Sequence, residues 1–201
     1  LNSLLARMDV AFRNLSKEKN LLAMNVNDVA FCLPKLVAEA DYVVNLPKLK
    51  TCTGMTVTLS LKNSFGLIAD RNKPSMHKSL DRILLEVNRS LGQHLILVDG
   101  IVGMEGNGPL LGEPVQTGAI IAGTRPASVD AVCSRVMGFD PSQISHIKLC
   151  SEGGLGTLDP EKINIVGENI EAVAKPFEPP SFAPRLIAKT LKSAARLYLT
   201  K

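Results

Sequence analysis

Apolar positions along this chain recur with two periods, and the alternation between them sets the fold class. From about Ser79 to Leu91, Leu80, Ile83, Leu84, Val87 and Leu91 return at three- and four-residue steps while Asp81, Arg82 and Arg89 fall between them. That spacing predicts a helix with one apolar face, closed by Gly92. A second helix is predicted from about Pro126 to Met137, stopped by Gly138, and a short third one from Asp140-Pro141 to just before Gly153-Gly154. A helix starting near Pro34 precedes an apolar strand, Ala40 to Leu46, that ends at Pro47. Further strands are predicted at 94–99, Gly118–Gly123 and Ile163–Val166. Strands apolar on both faces, alternating with helices, give an α/β class: a mostly parallel sheet flanked by helices.

Two stretches are less regular. Lys48-Leu-Lys-Thr-Cys-Thr-Gly54 reads as a polar loop, and Met55 to Leu61 fits strand or helix, with helix favoured and Thr53 or Thr56 as its cap. After residue 175 the composition shifts. Pro176, Pro179, Pro180 and Pro184 mark a linker, and from Arg185 the chain carries Lys189, Lys192, Arg196 and Lys201 without an acid. The expected organisation is therefore an α/β domain over 1–175 and a linker with a basic amphipathic helix over 176–201. That helix suits docking on its own domain, on a partner or, more weakly, on an anionic membrane surface through 185–201.

A length of 201 residues allows one sizeable core without a disulfide or metal. Lys plus Arg exceed Asp plus Glu by only 23 to 19, and there is no Trp and only two Tyr, which argues against nucleic acid as a partner. Cys32, Cys52, Cys133 and Cys150 lie far apart, so local spacing gives neither a zinc site nor an iron–sulfur cluster. Their sparseness suits a reducing cytoplasm. No run has the length of a transmembrane segment, and the first residues lack the order of a secretory signal. A start on Leu1 rather than Met reads as part of something longer.

The chemistry concentrates where the strand 94–99 ends at Asp99 and gives way to Gly100, Gly103, Gly106 and Gly108. A glycine loop past a strand end exposes backbone N–H groups to a ligand, the position at which open α/β sheets bind. Lys48 and Lys50 stand at alternate positions of an extended segment, and Lys62 and Asn63 add a cation and an amide. With Gly103, Gly106, Asn107 and Gly108 they make a candidate site for a phosphate or carboxylate. Asp99 and Glu105 are candidate ligands for a divalent metal bridging to that anion. Asp130 is a third carboxylate, with the dipole of its own helix as the simpler explanation. His77, in a loop after Pro74, is a candidate acid or base with Lys62, whereas His94 and His146 read as structural. Cys52 among lysines has the setting of a nucleophile or soft metal ligand, and a small replacement residue is the plainer reading. The plainer readings elsewhere are solvated lysines and glycines that serve a tight turn.

The segments Asn45–Thr51, Ser60–Gly66, Val98–Pro109 and Ala127–Val132 together resemble, over about residues 20–167, the bacterial and archaeal family known as domain of unknown function three-six-two. The chain departs from it at Cys52, where the family usually continues Lys-x-Lys-Thr into His, and it lacks the further N-terminal α/β segment usual there, so it reads as the later part of that domain. His77 matches a histidine the family often carries. Many members include a ferredoxin-like segment, so the resemblance implies an iron–sulfur cluster supplied by another segment or by a ferredoxin-like partner. Three functions follow: an enzyme-like domain binding a small anionic molecule, a redox accessory domain, or a non-catalytic module binding an anion or a partner.

Overall fold

The chain enters its described part through a hairpin. In the computed structural model, which describes residues 20–69, 76 and 79–181, β1 (Leu21–Val26) and β2 (Val29–Pro34) pair antiparallel from Leu21↔Pro34 to Val26↔Val29. Asn27 and Asp28 take φ of 50° and 63° at the turn, the left-handed pair a two-residue hairpin requires. Val29, Phe31 and Leu33 point inward and form a small core with Ile68 and with Ile83, Val87 and Leu91 of α3 (Leu80–Leu91). The expected helix near Pro34 is the single turn α1 (Lys35–Ala38).

The central sheet is built around one long strand. β3 (Val44–Asn45) and β4 (Lys48–Cys52) follow each other along the same side of β6 (Leu95–Asn107), both parallel to it, with Asn45 opposite Ile96 and Lys48 opposite Asp99. β5 (Thr56–Val57) returns antiparallel on β4, and β7 (Leu111–Gly123) runs antiparallel along the other side of β6. Helices α3, α4 (Pro126–Val136) and α5 (Ser145–Glu152) complete an α/β fold. Leu49, Ile96 and Val98 of the sheet meet Val129, Cys133, Ile147 and Cys150 of the helices in the main core. The opposite face leaves Val44, Leu46, Ile101 and Ile120 exposed.

Several expectations need correction. The stretch 100–107 is strand, not open loop, because its glycines admit neighbouring backbone. A Cβ on Gly103 would lie 2.8 Å from the Phe177 ring and 2.9 Å from the Leu49 carbonyl oxygen, and one on Gly108 would lie 2.4 Å from the Thr51 carbonyl oxygen. Lys48–Cys52 is likewise strand: the lysines occupy half-exposed positions while Leu49 between them and Thr51 after them are wholly buried. Met55–Leu61 splits into β5 and the start of α2 (Leu59–Asn63), and neither Thr53 nor Thr56 caps that helix. The strand expected over Ala40–Leu46 shrinks to β3. Gly118–Gly123 is the end of a longer, half-exposed strand in which Pro114 and Gly118 interrupt the regular backbone. Ile163–Val166 pairs with nothing among the described residues, and Val166 is exposed.

Helix ends follow the sequence closely. Gly92 ends α3 with a φ of 52°, and α4 starts at Pro126 and stops before Gly138. Asp140 caps a single 3-10 turn by accepting from Ser142 N–H before α5 begins. Beyond α6 (Ile170–Val173) the proline-rich segment lies against the domain. Lys175 and Phe177 donate their N–H groups to the carbonyls of Val136 and Met137, and the Phe177 ring is buried in the main core. The basic segment 185–201 lies outside the described residues.

Close backbone approach makes a direct prediction. Gly108→Ala should destabilise the domain by about 1–3 kcal/mol, because strand backbone must move to admit the methyl group. Gly66→Ala, where nothing lies within 4 Å of an added Cβ, should stay within about 0.5 kcal/mol. Urea unfolding of both variants checks the contrast.

Candidate functional site

The short helix α2 is the element on which the predicted lysine and amide converge, and its position is set from outside. Its backbone is unusual at entry: Thr56 and Leu59 take φ of 62° and 47°, left-handed values that cost a β-branched or bulky residue roughly 1–3 kcal/mol. The compensation comes from Asp130 on α4. Its wholly buried carboxylate accepts the Ser60 N–H at 2.8 Å, the Ser60 hydroxyl at 2.6 Å and the Leu61 N–H at 2.9 Å. The two N–H groups are otherwise unpaired donors of a helix start, satisfied here by a different helix. Burial pushes the Asp130 carboxyl up to about 7, against the pull of the Ser60 hydroxyl and the Leu61 and Ser60 N–H groups.

From this anchor two neighbouring side chains reach different surroundings. Lys62 donates to Cys52 Sγ at 2.9 Å, which brings its ammonium to the last residue of β4. Asn63 donates to Asn45 Oδ1 at 2.7 Å. Lys50 lies two residues before Cys52 on β4 and has no ion-pair partner among the described residues. Behind them His146 of α5 is fully buried with neither ring nitrogen hydrogen-bonded. Burial holds its imidazole down at about 4, and the Lys62 ammonium pushes the same way. Burial likewise raises the Cys133 thiol and pushes that of Cys150 up to about 12, so both are ordinary protonated core thiols.

The other predicted residues are engaged elsewhere. Lys48 pairs with Asp99 at 2.7 Å on the exposed face of the sheet, and Asp99 also accepts the Ile101 N–H. The Lys48 contact first and the Ile101 N–H second hold the Asp99 carboxyl below the usual range. Glu105 accepts the Glu178 N–H at 2.8 Å, and Asn107 exchanges bonds with Ser181. Six residues apart on one strand, Asp99 and Glu105 stand on the order of 15–20 Å from each other and do not share an ion. No group of three His, Cys, Asp or Glu among the described residues is arranged to hold a metal. The N–H groups of Gly106 and Gly108 donate to the carbonyls of Glu178 and Gly106, and Gly103 is packed beneath Phe177. His77 lies outside the described residues.

A family model, Domain of unknown function (DUF362), matches residues 1–135. The chain belongs to the DUF362 family. The DUF362 match takes in β1 through most of α4, hence Lys50, Cys52, the whole of α2 and Asp130, and stops before His146. A thylakoid-associated protein of Synechocystis sp. is 34% identical over 119 residues, 56% of this chain and 37% of that protein. The chain thus spans little more than a third of the length of this curated relative. No solved structure matches. No helix among the described residues is long and apolar enough to cross a membrane.

Sequence reasoning missed Asn45, Gln93 and Asn88 as partners, and it assigned Asp130 to the dipole of its own helix. Asn45 carried a signal: an amide at the end of an apolar strand, just before Leu46-Pro47, needs buried partners.

Asp130 and His146 should give opposite pH dependences of stability. An acid whose folded pKa is raised favours the folded state most below its unfolded value near 4, and this contribution is lost as pH rises to about 7. The buried imidazole works the other way, losing stability as pH falls from about 6.5 through about 4. Relative to the parent, Asp130→Asn should therefore become less destabilised on going from pH 5 to 7, and His146→Leu should become less favourable. Each change should be on the order of 2 kcal/mol. Urea unfolding at the two pH values measures both slopes.

Proposed function

We propose that this domain binds a small anionic molecule at the end of β4, with Lys62 and Lys50 as its cations. One observation carries the reading: α2 holds the Lys62 ammonium, half-buried, against a thiol sulfur rather than a carboxylate. A partly buried cation without a countercharge among the described residues favours an anionic ligand, since charge-assisted hydrogen bonds strengthen as water is excluded. Lys48 is neutralised by Asp99 and takes no part. Asn63 is held by Asn45, and the glycines of β6 serve strand packing, so recognition rests on cationic side chains more than on a cradle of backbone N–H groups. In this reading Lys62 is a binding cation, and no divalent metal is needed at Asp99 or Glu105. Four free thiols suit a reducing cytoplasm as the compartment.

Calorimetric titration with inorganic phosphate and with malonate tests the proposal. At least one anion should bind, with affinity falling as salt rises. Lys62→Met should weaken binding by about tenfold or more and Lys50→Met by a smaller factor, while Lys48→Met should stay within roughly twofold. Absence of binding by both anions, or undiminished binding by Lys62→Met, overturns the proposal.

A further inference from the structure

On the other side of α2 lies a second recess whose chemistry differs from that of the lysine site. It is a groove of about 570 Å³ between α1, β3 and the segment 63–67, with Leu36, Val37, Leu46 and Leu67 among its walls. No charged side chain lines it among the described residues. Its volume falls within the roughly 300–1,000 Å³ typical of small-molecule sites, which pair apolar walls with a few convergent polar groups.

Those polar groups form a directional chain of amides. Asn88 donates to the carbonyls of Leu61 and Leu84 at 2.9 and 2.7 Å, and its Oδ1 accepts from Gln93. Gln93 Oε1 accepts from Asn45 at 2.7 Å, and Asn45 also donates to the Ser60 carbonyl at 3.0 Å. Asn45 Oδ1 in turn accepts from Asn63. Every amide donates toward the interior, so the orientation of each one fixes the next, and such chains are mutually strengthening. The last member, Asn63, is exposed at the groove. Having given one N–H to Asn45, it retains, among the described residues, one N–H and its Oδ1.

We propose that this groove binds a neutral, planar ring compound carrying a cyclic-amide edge, with Asn63 as the recognition residue. A donor and an acceptor on one fixed amide match the C=O and N–H of a lactam in a paired, two-bond contact. The apolar walls take the rest of the ring, and a charged ligand would find no countercharge there among the described residues. This inference does not depend on anion binding at Lys62.

The bicyclic lactam 2-quinolone is the probe, with N-methyl-2-quinolone as the analogue that lacks the N–H donor. Saturation-transfer NMR titration should show saturable binding of the lactam, about tenfold or more tighter than the N-methyl compound, as expected for the loss of a paired contact. Asn63→Leu should reduce that preference to roughly twofold, and Val37→Trp, which fills the groove, should remove binding of both compounds. No saturable binding of the lactam to the parent, or equal affinity for the two compounds, overturns the proposal without recourse to any variant. A preference unchanged in a folded Asn63→Leu protein, or binding that survives in Val37→Trp, overturns it as well.

Discussion

Asp130 holds the hydroxyl and N–H of Ser60 and the N–H of Leu61 from a neighbouring helix, and the arrangement of the lysine, cysteine and amide side chains depends on that hold. A helix of five residues is far below the length at which helices persist on their own. Here one left-handed residue, Thr56, precedes it and another, Leu59, is its own first residue, so local backbone preference works against it. The buried carboxylate supplies what local sequence does not. Because α2 is fixed at its start, its successive side chains separate: Ser60 and Leu61 are buried, Lys62 goes to β4 and Asn63 to the amide chain. Removing water from the carboxylate disfavours its charge, and the three donors offset part of that cost.

The sheet meets a different constraint. β6 accepts parallel neighbours on one side and a thirteen-residue antiparallel partner on the other. Register shifts between Lys48 and Lys50 and between Gly100 and Val102 bend the strands where these pairings meet. Glycine is needed there because the backbones of β4 and β7 and the ring of Phe177 come too close for any side chain. Phe177 belongs to a segment whose prolines give it the composition of a linker, yet its ring closes the core over Gly103.

Periodic segments were the legible part of the sequence. The helices over 80–91 and 126–136 were readable because one face is apolar and glycine follows, and the α/β class came from strands alternating with them. Short elements were not, since a two-residue strand such as β3 or a five-residue helix such as α2 carries no period. Lys48 and Lys50 disguised a strand because only their alternate neighbours are buried, and the Asn27-Asp28 turn was a hairpin signal left unread. For the site, residue type marked Lys62 and Asn63 but gave no partners. That Asp99 neutralises Lys48, and that Asp130 serves a helix seventy positions away in sequence, are consequences of strand register and helix packing, which lie beyond local pattern.

The interruptions in β7 bear on how the protein keeps to itself at high concentration. Among the described residues this strand pairs only with β6, so its outer side is an open ladder of the kind that recruits foreign strands. Pro114 contributes no N–H to such a ladder, and Gly118, at a φ of 69°, turns the chain out of the extended line. An incoming strand therefore meets three short runs, the three residues before Pro114, the three between Pro114 and Gly118, and the five from Ala119 to Gly123, as continuous templates. Runs that short give weak cross-strand recruitment, so the long rim acts as a poor seed for fibrils.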